Sequence, residues 1–419
     1  MSIDVITMAK LVQLAQPSSP TPLMGLLLAG VLALGGCVTQ TVRIVDMTPP
    51  NQIDRYQTEG ELLDVGIAVF DPNVPEDFDT RVENMISREI RRAEAQYVSY
   101  FAKNLLQSTG NWGAVRVVPR ATHAVDVTVS GKILDSNGEE MAIEIEVYDA
   151  TGQQWFAKEY RALASRYAYE DTIPPDIDAF QTIYKQLSDD MLAYRESLSD
   201  EKVREIRTVA EMQFARDFSS EAFATHVTET APGKFTITRL PAEDDPMLER
   251  VRKIREREYL FIDTLDEYYS SFHRKMYPAY NSWRKASYTD SIAYEELRVQ
   301  ARARIIGGAI GIVGSVGAIY QSDNAYVDAS GIGGVIGGSS LIVSGITKKH
   351  EAEQHADRLR EVGSAAEAEL VPTTIELENQ TIRLQGSVDQ QYGELREILR
   401  RLYFEDLGLE PPEPAIDQL

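Results

Sequence analysis

The sequence predicts an α+β protein, in which an N-terminal α/β sandwich is followed by a mostly helical region that carries a glycine-rich helical hairpin. Between residues 61 and 170, short apolar runs of strand length surround one amphipathic helix. From 171 to 304 and again from 348 to 409, apolar residues recur mainly at three- and four-residue steps, which indicates helices. Between 305 and 347, two apolar segments rich in glycine flank a polar stretch.

The sandwich has the predicted element order βαββββ. Its strands alternate apolar and polar residues, and turn-forming groups such as Asp71-Pro72 and Asn137-Gly138 separate them. The predicted elements are a strand at 62–70, a helix at 81–107 and strands at 114–118, 124–134, 141–148 and 154–161.

Two stretches of this region carry a resemblance to a known type of domain. Val-Asp-Val-Thr-Val-Ser-Gly-Lys-Ile at 125–133 and Val-Tyr-Asp-Ala-Thr-Gly at 147–152 follow the strand-helix-strand unit. The pattern, over about 62–165, resembles the periplasmic domain type of the curli-secretion channel lipoprotein, the Pel lipoprotein and the N-terminal domain of the Tol-system propeller protein. The resemblance implies an envelope scaffold of a type that often assembles into rings, and therefore a homo-oligomer.

The helical region at 171–304 contains a short β-hairpin or strand at 227–240. Helices are predicted at 177–198 and 202–218, and a long helix from Pro246 towards Met276, which Pro278 is expected to kink or end. The long helix carries a heptad-like apolar seam, which predicts packing within the fold or between subunits. The seam consists of Ile262, Leu265, Tyr269, Phe272 and Met276.

The C-terminal part is also expected to be mainly helical. A charged helix is predicted at 350–369 and an amphipathic helix at 390–403, with a two-stranded piece or a helix at 374–384 between them. The acidic, proline-bearing residues 410–419 predict a disordered tail.

The N-terminal residues predict an export signal. An apolar run of twelve residues at 23–34 fits the core of a signal peptide and is too short to span a membrane. It ends in Leu34-Gly35-Gly36-Cys37, which resembles the lipobox of bacterial lipoproteins. The resemblance implies that residues 1–36 are a signal peptide, that the peptidase recognises Leu34, Gly35 and Gly36, and that Cys37 bears lipid. The alternative is a buried helix that ends in Gly-Gly-Cys.

Composition agrees with lipidation at Cys37. It is the only cysteine of the 419 residues, so no disulfide can form within the chain. The formal net charge is −23, and it stays −23 after cleavage because residues 1–36 contain one acid and one base. A field of that sign repels nucleic acid. Family rules for Val38, which follows the cysteine, imply the outer membrane, and the polar residues 37–60 predict a tether.

The segment at 305–347 is predicted to be a glycine-zipper hairpin with legs at 305–320 and 331–347. Small residues spaced by four let helix backbones approach closely. The predicted packing residues are Gly307, Gly311, Ser315, Gly333 and Gly337. The segment resembles the glycine zippers of other envelope lipoproteins. Three interpretations stay open: insertion of the hairpin into the membrane, the core of an oligomer, or a flexible loop.

No motif for catalysis, a metal or a cofactor stands out. The five histidines lack metal-site spacing, since His350 and His355 are one residue too far apart for the His-Glu-x-x-His helix. No nucleophile elbow, phosphate loop or dinucleotide fingerprint occurs. The sequence therefore predicts a non-enzymatic, lipid-anchored envelope scaffold on the periplasmic side of the outer membrane. The alternatives are an oligomeric export accessory whose glycine hairpins line or plug a passage, and a carboxylate hydrolase of envelope polymers.

Overall fold

The computed structural model describes residues 48–319, 374–377, 380–384 and 387–409, apart from short gaps at 56, 84–85, 121, 166, 171–172, 174–176 and 243. The predicted α+β class is confirmed, because a mixed five-stranded sheet in the N-terminal part is followed by a helical region. The predictions for the signal peptide, the second glycine-rich leg at 331–347, the charged helix at 350–369 and the tail at 410–419 lie outside the described residues.

The predicted order βαββββ is confirmed, with one difference in its helical part. The helix expected over 81–107 consists of two helices, α1 at Phe78–Glu83 and α2 at Arg88–Ser108. The strands are β1 at Val65–Ala68, β2 at Val115–Val118, β3 at Val127–Ser136, β4 at Glu140–Asp149 and β5 at Gln154–Leu163. They lie in the order β2-β1-β3-β4-β5, with β1 parallel to both neighbours and the other pairs antiparallel.

One face of this sheet carries the core. Because successive side chains of a strand point to opposite faces, Val127 and Val129 of β3 and Ile143 and Ile145 of β4 share one face, where all four are buried. They pack with the helix α2 and with α3 at Gln181–Ser197 in a single apolar cluster. On the opposite face, Glu144 is exposed. The five-stranded sheet, α2 and α3 therefore form a two-layer sandwich. We call this part of the protein the sheet domain.

Among the described residues, the helical region adds four helices and two small hairpins. The remaining elements are α4 at Asp200–Phe218, α5 at Ser220–Phe223, β6 at Val227–Ala231, β7 at Lys234–Ile237, α6 at Pro246–Ile319, β8 at Thr374–Leu377, β9 at Gln380–Arg383 and α7 at Val388–Asp406. Strands β6 and β7 form the expected hairpin, and β8 with β9 form the two-stranded alternative of the C-terminal prediction.

Of the two alternatives for Pro278, the one in which it ends the long helix is wrong, because α6 continues through Pro278 and is 74 residues long. Pro278 lies on the exposed side of α6, whereas Met276 and Tyr280 on either side of it are buried at 0% and 1% exposure. Packing of these neighbours offsets the hydrogen bond that the proline ring cannot donate. The predicted boundary between the helical region at 171–304 and the glycine-rich hairpin at 305–347 does not interrupt α6. The same helix includes the first glycine-rich leg up to Ile319.

The apolar seam of α6 is a packing face within the fold. All five of its residues are buried, and Tyr280 extends it by one step. The first half of the seam packs with α4 and with Tyr392, Leu395 and Leu399 of α7. The second half, from Phe272 to Tyr280, belongs to the core of the sheet domain. The C-terminal helix thus shares an apolar cluster with the first half of the seam, together with Val117 and Val118 of β2.

Candidate functional site

Polar contacts follow α6 along the sheet domain from one end to the other. We call the end where β1 and β3 begin the lower end, and the end with the β3–β4 turn the upper end. Near the lower end, Arg255 Nη2 donates to the carbonyl of Ala124 at 2.6 Å. Further on, Arg116 Nε donates to Asp263 at 2.7 Å. At the upper end, Arg284 lies beside the β3–β4 turn. Helix α6 therefore runs from the lower end to the upper end.

An ionic and aromatic group holds α6 at the upper end. Arg284 Nη1 lies 2.7 Å from Asp178 Oδ2, and its Nη2 donates to the hydroxyl of Tyr280 at 2.9 Å. The guanidinium carbon is 4.0 Å from the ring centre of Tyr280, 5.1 Å from that of Phe180 and 5.5 Å from that of Tyr97. Rings at these distances attract a cation through their faces. We call these five residues the Arg284 cluster.

A second buried charge, Glu94 of α2, adjoins the Arg284 cluster. Its side chain is fully buried and accepts hydrogen bonds from the hydroxyls of Ser136, at 2.5 Å, and Tyr280. Arg91 Nε lies 3.5 Å from its second oxygen and offsets its charge. A buried carboxylate without such partners would strongly destabilise the fold. Glu94 therefore ties α2, the end of β3 and α6 together.

The buried tyrosines and Arg284 of this region keep one protonation state near neutral pH. Burial raises the pKa values of Tyr97, Tyr184 and Tyr280 well above their ordinary value, so these hydroxyls stay protonated. Burial acts to lower the pKa of Arg284, but Asp178 and the tyrosines outweigh it, so Arg284 stays charged. The contacts between α6 and the sheet domain therefore do not depend on a change of protonation of these groups near neutral pH.

His273 lies deeper in the same interface and is a neutral packing residue. Its ring stacks on Tyr97 with 4.3 Å between centroids, and it also faces Tyr100 and Phe101. Burial lowers the pKa of His273 to about 4, because a charged imidazolium loses its hydration there. At neutral pH the ring is therefore uncharged.

The turn between β3 and β4 contacts the backbone of α6 directly. Gly138 has a φ of +82°, and a Cβ added to it would lie 2.4 Å from the carbonyl oxygen of Arg284 and 2.9 Å from the amide nitrogen of Tyr288. The hydroxyl of Tyr169 also donates to the Gly138 carbonyl at 2.5 Å. Only glycine fits here, both for its backbone conformation and for this close approach.

Asp126 marks the lower end of the interface. Its side chain is 3% exposed, and it accepts a hydrogen bond from the backbone of Asp64 at 2.9 Å. Arg255 Nη2 and Arg207 Nε lie 3.8 and 3.9 Å from its oxygens. Burial raises the pKa of Asp126 to about 6, although both arginines act to lower it. These charges join β3 to α4 and to α6.

The segment that precedes the sheet domain is also docked at the lower end. The side chain of Asn111 accepts from the amide of Ile53 at 3.0 Å and donates to the carbonyl of Asn51 at 2.9 Å. Arg207 Nη1 donates to the carbonyl of Glu59 at 2.5 Å. The tether predicted over 37–60 is therefore too long, since residues 51–61 are held by side chains of the folded body. We call residues 51–61 the docked segment.

A further buried carboxylate fixes the C-terminal helix on α6. Glu258 of α6 is fully buried and accepts from the hydroxyls of Tyr392, at 2.5 Å, and Thr122, at 3.3 Å. Arg396 Nε of α7 lies 3.7 Å from its second oxygen. Glu258 thus joins α6 with α7 and with the segment that follows β2.

The sequence-predicted site residues fall largely outside these contacts. Cys37, Leu34, Gly35 and Gly36, like Gly333 and Gly337 of the second leg, lie outside the described residues. Gly307, Gly311 and Ser315 lie in α6, where their four-residue spacing places them along one side of the helix. The Arg284 cluster and the docked segment were not predicted.

Neither His123 nor His226 belongs to a group of side chains that could hold a metal ion in the described part of the chain. His123 Nδ1 lies 3.1 Å from Asp217, and His226 Nδ1 lies 2.9 Å from the carbonyl of Arg239, while His350 and His355 lie outside the described residues. The described part of the chain contains no group of three or more side chains that could hold a metal ion. Among its helices, none combines the length and the apolar character that crossing a membrane requires.

Comparisons of the chain with family models, with curated proteins and with solved structures gave no match in any of the three.

Proposed function

We propose that the chain is a lipid-anchored, non-enzymatic scaffold of a bacterial cell envelope, held through Cys37 on the periplasmic side of the outer membrane. The observation that carries this proposal is the string Leu34-Gly35-Gly36-Cys37 at the end of a twelve-residue apolar run. Its cysteine is the only one in the chain, so a lipid attached there has no competing thiol.

The contacts of the folded body support a scaffold role. Four buried charged side chains each form hydrogen bonds that join parts of the fold. They are Glu94, Asp178, Glu258 and Arg284. Buried ion pairs of this kind specify one arrangement of helices more than they add net stability. Because α6 is fixed on the sheet domain, the folded body is suited to a scaffold role rather than to the turnover of a substrate.

Assembly into a homo-oligomer is part of the proposal. It rests on the resemblance of residues 62–165 to periplasmic domains that form rings, and on the small residues at 307, 311 and 315 of α6. Light scattering of the mature protein in mild detergent tests it, with a mass of several chains expected. A monomer across micromolar concentrations would contradict it.

The anchor is tested by fractionation of two variants in a Gram-negative host. Cys37→Ser removes the thiol that accepts lipid, so the expected product is an uncleaved precursor in the inner membrane. Gly36→Ala keeps a small residue before the cysteine and serves as the matched control, with normal processing expected. The proposal fails if Cys37→Ser is processed and reaches the outer membrane as the control does.

A further inference from the structure

We propose that two copies of the chain pair along the outer edge of β5, in antiparallel orientation and with Tyr160 at the two-fold axis, so that their sheets join into one. This inference deepens the proposed homo-oligomer and rests on it, because it names the surface through which two copies contact each other. It follows from the hydrogen-bonding pattern of β5, from its exposed side chains and from the order of its charges.

Strand β5 has one edge that no other strand occupies. It lies at one end of the sheet order, and among the described residues only β4 pairs with it. Most of its side chains beyond the first turn are exposed, namely those of Ala157, Lys158, Glu159, Arg161 and Leu163. An exposed edge presents N–H and C=O groups to which a further strand can bond. We call this side of residues 157–163 the outer edge of β5.

The backbone pattern shows which residues bond outward. The amide of Ala164 donates to the carbonyl of Glu139 of the neighbouring strand at 2.7 Å. In an antiparallel pair, residues that bond to the neighbour alternate with residues whose backbone groups point the other way. The register between β4 and β5 is regular from Phe156 onward, so the even-numbered residues bond to β4. The odd-numbered residues of 157–163 therefore direct their N–H and C=O groups to the outer edge.

The sequence of β5 is complementary to itself about one position. An antiparallel pair of identical edges places outward-bonding residues of one copy opposite those of the other. With the two-fold axis at Tyr160, Glu159 of each copy faces Arg161 of the other, and Ala157 faces Leu163. The pairing therefore contains two pairs of opposite charges and two apolar pairs.

Other positions of the axis lose this match. An axis at Glu159 places the two copies of that acid opposite each other, and an axis at Arg161 does the same with two arginines. Like charges directly opposite on neighbouring strands destabilise a sheet. An axis at residue 158 or 162 leaves both charges without an opposite charge on the second copy. The charges thus select the register centred on Tyr160.

The side chains of the edge are placed to make these contacts. Glu159 and Arg161 are 49% and 51% exposed and lie 2.7 Å apart on the same face of one copy. In the pair of copies, Arg161 would lie between Glu159 of its own chain and Glu159 of the other. Leu163 is 43% exposed and would be covered by Ala157. Backbone bonds between the outward-facing residues add about eight hydrogen bonds across the interface.

Lys158 does not oppose the pairing. A charged side chain on an edge strand often prevents contact with another chain. Lys158, however, lies on the face that packs on α3, where Nζ donates to Asp190 at 2.6 Å. The hydroxyl of Tyr160 donates to the same carboxylate at 2.7 Å. The charge of Lys158 is balanced within its own copy, and in the proposed register it faces the small side chain of Ala162.

Cysteine cross-linking tests the register in the full-length protein on its membranes. Ala157→Cys and Leu163→Cys chains are expressed together with different tags, and the membranes are treated with a mild oxidant. The proposed pairing places the two Cα atoms about 5.5 Å apart, a separation that a disulfide bridges. We expect a cross-linked dimer that carries both tags, and at least about fivefold less dimer from either variant alone. Glu144→Cys in place of Ala157→Cys is the matched control, because Glu144 is exposed on the same face of β4. It should give no mixed dimer.

Reversal of the charges tests the pairing of Glu159 with Arg161. Glu159→Arg, added to both cysteine variants, places like charges opposite each other twice and should lower the yield of mixed dimer at least about threefold. Further addition of Arg161→Glu recreates opposite charges and should restore the yield. Glu144→Arg is the matched control and should leave the yield unchanged. Circular dichroism of each variant checks that the fold is retained. An equal effect of Glu159→Arg and Glu144→Arg, or no recovery in the double exchange, would overturn the inference.

The outcomes separate this inference from the proposed function. If light scattering shows several chains but the mixed dimer is absent, or is no more abundant than the dimers of the single variants, the copies use another surface and the inference is wrong. A monomer would contradict both the homo-oligomer and this pairing. Cross-linking of the wild type would show a free thiol at Cys37 and contradict the anchor alone. The register is then decided with Cys37→Ser in both chains.

Discussion

Arg284 and Asp178 form an ion pair in which both side chains are almost completely enclosed, at 3% and 1% exposure, with Nη1 2.7 Å from Oδ2. The two residues are 106 positions apart and join α6 to the residues that lead into α3. Removal of charge from water costs several kcal/mol per ion, and this pair recovers it through close geometry and the surrounding rings. This ion pair therefore fixes where α6 lies on the sheet domain.

We expect Arg284→Met to lower the free energy of unfolding by about 3–5 kcal/mol, because Asp178 is then left buried without its partner. Urea unfolding followed by circular dichroism measures the change. Arg274→Met is the matched control, since Arg274 and its partner Glu267 are 63% and 79% exposed and an exposed pair contributes about 0–1 kcal/mol. Equal losses from both variants would show that Arg284 does not hold the helix.

The coupling between the two partners is a separate expectation. Asp178→Asn alone should also destabilise the fold, because Arg284 would keep a buried charge. The double variant Arg284→Met, Asp178→Asn should lose less than the sum of the two single losses. Additive losses within about 0.5 kcal/mol would contradict direct pairing of the side chains.

We expect Gly138→Ala to displace α6 from the β3–β4 turn. The added methyl would lie 2.4 Å from the carbonyl oxygen of Arg284, and the residue would keep a positive φ that alanine disfavours. Gly110→Ala is the matched control, because Gly110 has a φ of +68° and nothing within 4 Å of an added Cβ. The control should lose about 1 kcal/mol and Gly138→Ala clearly more. The same loss in both would show that the turn does not contact α6.

We expect His273→Phe to gain stability relative to the wild type as the pH falls. The pKa of His273 is lowered to about 4 in the folded protein, below its ordinary 6.5. In the wild type, the unfolded chain therefore binds a proton between pH 6.5 and 4 that the folded chain does not, and stability is lost over that window. Phenylalanine keeps the stacked ring and removes this loss. A difference that does not change between pH 7 and 4 would contradict the lowered pKa.

We expect the opposite slope for Asp126→Asn. The pKa of Asp126 is raised to about 6 from an ordinary 3.8, so the folded chain holds a proton between pH 4 and 6 that the unfolded chain has released. In the wild type this contribution to stability is present below pH 3.8 and lost as the pH rises through 6. The variant should therefore gain relative to the wild type as the pH rises from 4 to 7. A gain on acidification instead would refute the raised pKa.

The sheet domain was predictable because its signals are local. Period-two alternation and the Asn137-Gly138 turn specify strands and their connection within a few residues. The course of α6 was predicted only in part. A proline usually interrupts a helix, and it is the buried neighbours Met276 and Tyr280 that carry α6 past Pro278.

The Arg284 cluster was missed because its members come from distant parts of the sequence. One signal was present: Arg284 follows Tyr280 by four residues, on the side of α6 that the apolar seam occupies. A charge on an apolar stripe predicts a buried partner, although the sequence does not say which. The docked segment left no such signal, since the body binds it mainly through backbone groups of residues such as Asn51 and Glu59.

The proposed lipid on Cys37 is tested most directly by the mass of the N-terminal peptide of the protein extracted from membranes. We expect a chain that begins at Cys37, with a mass increase equal to a diacylglyceryl group on the sulfur and a fatty acyl group on the amino nitrogen. Two or more acyl chains are what stable membrane anchoring requires. A chain that retains residues before Cys37, or one in which Cys37 carries a free thiol, would contradict the claim.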